Sequence, residues 1–128
     1  MALNLGPIGQ IGLPVTDADR SEAFYAQVLG LRKLFRFGGL VFFDCAGVRL
    51  LLDQAADPAA VTAASPIYFR VPDIVVARRE LEGRGVKFVD EPHLIAPMED
   101  HDLWMTFFHD PDAHILALMM EAPKGWTP

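Results

Sequence analysis

The chain alternates between two hydrophobic periods, and that alternation outlines its elements. Ile8 to Val15 (I-G-Q-I-G-L-P-V) has period two, with Ile11, Leu13 and Val15 on one face, which predicts a strand. Phe24, Tyr25, Val28 and Leu29 then fall at helical spacing, with Gly30 as the stop. Asp19, followed three residues later by Glu22, resembles an acidic capping box for that helix. Three short strand-like runs follow, Lys33–Phe37, Leu40–Cys45 and Val48–Asp53, separated by Gly38-Gly39 and Ala46-Gly47, which fits hairpins. The first half therefore reads βαβββ.

Gln54 to Ala64 is a plausible linker of small residues, and the order then repeats. Ile67–Val71 alternates; Asp73 caps a helix in which Ile74, Ala77 and Leu81 share a face; Gly85 ends it. Val86–Val89, Leu103–His109 and His114–Met120 are the expected strands of this half, with a long connection over 90–102. Local parallels support an internal repeat. Val15-Thr16-Asp17 and Val71-Pro72-Asp73 each precede a helix, and Gly30-Leu31 and Gly85-Val86 each close one.

Composition narrows the function classes. At 128 residues the chain fits one domain of an ordinary globular kind, 52% hydrophobic and 22% charged. A net charge of −6, with no Lys/Arg stripe, argues against a nucleic-acid partner and an anionic membrane surface. Cys45 is the single cysteine, so no intrachain disulfide forms, and its strand offers no basic neighbour to activate it. The apolar start lacks the basic region and cleavage site of a signal peptide, and no run reaches the length of a membrane span. A cytoplasmic location is the default expectation.

Two stretches point further. V-T-D followed by F-Y-A-Q-V-L-G-L (Phe24–Leu31), and D-P-D-A-H-I-L-A-L from Asp110, resemble signatures of the vicinal oxygen chelate superfamily. That superfamily includes glyoxalases, extradiol dioxygenases and bleomycin-resistance proteins. The likeness runs from Gln10 to Glu121. It implies an α+β fold of two βαβββ modules, about 8–54 and 65–121, curled as an open barrel around a ligand cavity in a homodimer. It also implies four metal-ligand positions, one on the first and one on the fourth strand of each module. Counting along the motifs places them at Gln10, near Leu50, at Pro66 and at Ala117. A divalent ion needs several His or carboxylate donors, so this set predicts no family metal site and no cofactor.

By the same analogy, the strand faces turned away from the helices look into the cavity. Gln10, Tyr68 and Arg70 are then its polar groups, beside Leu50, Leu52, Ala117 and Met119. Arg70 either pairs with a local acid or presents its fork to a ligand carboxylate or phosphate. Tyr68 is a packed ring or a ligand contact; Gln10 satisfies a sheet edge or a ligand.

The connection E-P-H-L-I-A-P-M-E-D-H-D-L-W-M (Glu91–Met105) adds His93, His101 and Trp104, and is either a lid or binding loop with an apolar underside of Ile95, Met98 and Trp104 or a solvated connection partly covering a dimer interface. His101, between Asp100 and Asp102, is a candidate acid or base. A relocated metal site from His93, His101 and an acid matches no standard spacing. His109 and His114 are expected to be exposed or structurally satisfied. The resulting expectation is a small-molecule-binding protein taking an apolar carboxylate or phosphate. The alternative is an enzyme of the same superfamily using displaced metal ligands or metal-free acid–base catalysis.

Overall fold

A computed structural model describes residues 3–128. The chain divides into two compact units, one ending at Thr62 and the other beginning at Ala63, so the boundary lies in the expected linker. Each unit is one βαβββ module.

In the first unit, β1 (Gln10–Val15) leads to α1 (Ala18–Ala23), which continues as a π-helical segment (Phe24–Val28). Strands β2 (Arg32–Phe37), β3 (Leu40–Cys45) and β4 (Val48–Gln54) complete a sheet of order β1-β4-β3-β2. The hairpins β2–β3–β4 are antiparallel, and β4 returns to lie parallel to β1. The second unit repeats this with β5 (Ile67–Arg70), α2 (Ile74–Gly83), β6 (His93–Pro97), β7 (Asp102–His109) and β8 (Ile115–Ala122), in the order β5-β8-β7-β6. The expected α+β class and two-module layout hold.

The two helix starts are near copies. Asp17 and Asp73 are both extended, at φ −143°, and each carboxylate accepts from the amides two and three residues ahead. This satisfies donors that the first helical turn leaves without partners. The expected capping box at Asp19 is thus displaced: Asp17 is the cap. Glu22 instead reaches β2, 3.3 Å from Lys33 and 3.1 Å from Arg36, and Asp19 also contacts Arg36. Gln54 Oε1 accepts from the Ala18 amide at 2.8 Å, tying the end of β4 to the start of α1. Gly30 and Gly85 take φ of +73° and +94°, the left-handed turn that ends each helix.

Each sheet buries one face under its own helix. In the first unit that face carries Leu13, Val15, Val41, Phe43, Leu50 and Leu52, with Tyr25 from the helical segment against Phe43. In the second it carries Thr106, Phe108, Leu116, Leu118 and Met120. Phe88 links this face to α2, packing on Phe108 and lying under the Arg78 guanidinium.

One expected strand moved. Val86–Val89 makes an isolated bridge, Phe88 to Phe108, while the strand that joins the sheet is His93–Pro97. Asp90 explains the shift. Its carboxylate accepts from the Thr106 hydroxyl and the Phe107 amide, which folds the chain onto β7 before β6 begins. The stretch expected as a lid is therefore largely an edge strand, with a bulge between Leu94 and Ala96.

The turn from β7 into β8 is held by Asp110, whose Oδ1 accepts from the amides of Asp112 and His114. His114 is buried, and its Nδ1 accepts from the Ala64 amide at 3.0 Å. Ala113 sits at φ +64°, a conformation that disfavours any residue with a Cβ, and it is exposed. Ala113→Gly should accordingly raise stability by about 1 kcal/mol, read as a higher urea midpoint at unchanged m-value.

Candidate functional site

The helix-free faces carry the candidate chemistry, and strand register says which residues share them. On the first sheet, Gly12, Leu51, Phe42 and Phe35 form one row across β1, β4, β3 and β2. Phe35 and Phe42 stack with centroids 4.4 Å apart. The neighbouring row runs Gln10, Arg49, Asp44 and Arg32, the last two 3.7 Å apart as an ion pair.

On the second sheet, one row is Tyr68, Ala117 and Phe107, and the next is Arg70, Met119, Met105 and His93. Tyr68 and Phe107 meet edge to face at 6.2 Å, with the fully buried Ala117 between them in the register. The His93 ring tilts against Phe107 at 6.3 Å. Arg70 Nη2 donates to Glu121 Oε1 at 2.9 Å, and its side chain remains 70% exposed. The result is a floor of Phe107, Met105, Met119 and Ala117 rimmed by Tyr68, Arg70, Glu121 and His93.

Of the residues singled out from sequence, Tyr68, Arg70, His93 and Ala117 come together here. Gln10 is exposed on the corresponding face of the first sheet. Leu50 and Leu52 do not share its face: they pair with Ile11 and Leu13 and are buried on the helix side, which leaves Leu51 on the open side. The expectation failed by one residue, and one residue reverses the face in a strand. Trp104 also lies on the helix side, opposite Met120, with its ring edge-on to Trp126 at 5.4 Å. His101 lies in the β6–β7 turn, 2.7 Å from Asp100, whose carboxyl it holds below the usual range. Cys45 is half-buried, and burial followed by Asp44 pushes its thiol upward, away from thiolate chemistry. Phe107, Met105, Glu121 and Asp90 were missed; the alternation of β7 alone could have found the first two.

The register also tests the family's metal positions. Ala117 pairs with Tyr68 as Leu51 pairs with Gly12, so Leu51, not Leu50, is the counterpart of Ala117. The four positions then hold Gln10, Leu51, Pro66 and Ala117, a set with one amide donor that does not fit a divalent ion. Among the described residues, no group of three or more His, Cys, Asp or Glu side chains is placed to hold a metal.

Comparison with known proteins settles the family. The family model described as Glyoxalase/Bleomycin resistance protein/Dioxygenase superfamily matches residues 7–118. The chain belongs to that superfamily. Solved structures agree on the fold. A protein from the mobile metagenome of V. Pseudocholerae is 19% identical at TM-score 0.78, covering 95% of this chain and 99% of its own. Lactoylglutathione lyase from Agrobacterium tumefaciens is 21% identical at TM-score 0.73, covering 91% and 95%. A virulence protein from Salmonella typhimurium is 18% identical at TM-score 0.75, covering 94% and 100%. At such identities the superfamily likeness is one of architecture. No curated protein matches the chain. Among the described residues, no helix is long and apolar enough to cross a membrane.

Two outcomes follow for this superfamily member. Ala117→Glu should not create metal binding, because Leu51 and Pro66 still supply no donor. It should instead cost about 2 kcal/mol or more, from a carboxylate forced into a fully buried position. Calorimetric titration with Zn²⁺ and urea unfolding check the two halves.

The second outcome concerns Asp102. Its carboxyl is held below the usual range by the Lys124 ammonium at 2.8 Å and then by the Gly125 amide. A depressed carboxyl contributes stability that is present above its unfolded pKa and lost as pH falls through the folded value. Lys124→Met should therefore lower stability near neutrality and leave it little changed in strong acid, flattening the acid limb of the stability–pH curve as followed by urea unfolding.

Proposed function

We propose that this chain is a small-molecule-binding member of the superfamily that acts without the family's metal chemistry. The observation that carries the reading is the open face of the second sheet, where an apolar floor meets a few placed polar groups. That combination is the usual make-up of a small-ligand site. Arg70 supports an apolar carboxylate or phosphate as the ligand. Its pairing with Glu121 is largely exposed, and such surface pairs contribute no more than about 1 kcal/mol. A bidentate anion resting on the aromatic floor can therefore replace Glu121.

The reading also takes the protein to be cytoplasmic and homodimeric, with no nucleic-acid or membrane partner; the net charge of −6 supports the last point. One contact favours the second reading, an enzyme of the superfamily working by metal-free acid–base chemistry. It is the approach of His93 to Asp90.

A thermal-shift screen of benzoates, phenylacetates and phenyl phosphates tests the binding reading. A ligand at ~100 times its Kd should add about 2.7 kcal/mol of stability, and Arg70→Ala should abolish the shift. Undiminished binding by Arg70→Ala would make the arginine structural and remove the anion from the proposal. One tightly held metal per purified chain, lost on mutating His93 or His101, would overturn the metal-free reading.

A further inference from the structure

The strand register places His93 beside the aromatic floor of the second sheet, in the row of Met105, Met119 and Arg70, while His109 lies on the same face at its far end, opposite Ile115. Its Nδ1 lies 3.0 Å from the Glu91 carbonyl oxygen and 3.5 Å from Asp90 Oδ2. A carbonyl oxygen only accepts, so Nδ1 carries the hydrogen, and Nε2 of the neutral ring holds the lone pair. The partner acid is itself fixed. Asp90 Oδ1 accepts from the fully buried Thr106 hydroxyl at 2.8 Å and from the Phe107 amide at 2.9 Å. Arg78 Nη2 donates to the Asp90 carbonyl at 3.0 Å, anchoring the same residue from α2. The Glu91 carbonyl thus sets the tautomer, and the Asp90 carboxylate lies near enough to stabilise the imidazolium that forms when the ring accepts a proton.

We propose that His93 is a general base for carbon acids bound on this face, and that Asp90 is its positioning residue. The proposal rests on the ligand-binding reading of the face. His93 and Arg70 stand at the two ends of one row, three strand spacings apart, or about 14 Å between backbones. A planar substrate bearing an anionic group suits that span. Its acid group would meet Arg70, its ring would lie over the methionines beside Tyr68 and Phe107, and its acidic C–H would meet Nε2. The step moves one proton from carbon to Nε2 and leaves the C–H electron pair on carbon, delocalised into the adjacent acceptor. No oxidant or metal is needed for the balance.

Two measurements on the full chain test this. Long-range ¹H–¹⁵N correlation spectra of the neutral imidazoles should show His93 protonated at Nδ1, and Asp90→Asn should shift that pattern. Finding the proton on Nε2 overturns the proposal whether or not ligands bind. The second probe is 5-nitrobenzisoxazole: a base removes its C3 proton, the C–H pair closes the nitrile, and the N–O bond breaks to release the cyanophenolate. The protein should accelerate this at least about a hundredfold over an equal concentration of free imidazole, the low end of the range of positioned bases. His93→Gln should remove the excess and Asp90→Asn most of it, while His101→Gln leaves it intact. A rate no better than imidazole, or one abolished by His109→Gln instead, overturns the base. If aromatic carboxylates still shift the melting temperature in that event, ligand binding stands without it; loss of both removes both readings.

Discussion

The parallel pairing of first and last strand within each module is the constraint on which the candidate chemistry depends. Because β4 lies beside β1 and β8 beside β5, each row across a sheet has a fixed membership. Period-two alternation then sends one set of residues under the helix and the other to the open side. In the second unit this puts Leu116 and Leu118 in the core while Ala117 and Met119 join Tyr68 and Arg70. Shift β8 by one residue and the apolar floor would become core, with the core leucines in its place.

Aspartates hold this arrangement at its seams. Asp17 and Asp73 cap the helices, Asp110 closes the turn before β8, Asp102 clasps Lys124 and Gly125, and Asp90 seats the connection into β6. Each accepts from backbone amides, and Asp90 and Asp102 accept as well from a side chain farther along the chain, Thr106 and Lys124. In four of these places the contact is structural. At Asp90 one oxygen lies 3.5 Å from His93, so the clamp that builds the edge of the sheet also sets a carboxylate beside a ring on its open face.

Much of the fold was legible from residue pattern. The two module starts announce themselves through V-T-D and V-P-D, and the helix stops through Gly30 and Gly85, because caps and left-handed turns demand those residue types locally. The superfamily assignment and the loss of its metal donors at Gln10, Pro66 and Ala117 were readable for the same reason. The site was legible in part. Tyr68, Arg70, His93 and Ala117 were singled out and do share a face, whereas Leu50, Leu52, His101 and Trp104 do not. His101 does meet its neighbour Asp100, but in the β6–β7 turn rather than on the open face.

The sequence by itself determined the element types, the repeat and the donor-poor character of the family's metal positions, since each depends on neighbours within a few residues. Only tertiary structure decided which residues meet. The choice of His93–Pro97 over Val86–Val89 as the strand turns on Asp90 finding Thr106 and Phe107 on β7. The face of Leu51 turns on a strand pairing across more than thirty residues. Such contacts are selected by long-range hydrogen-bond satisfaction and burial, which no local pattern records.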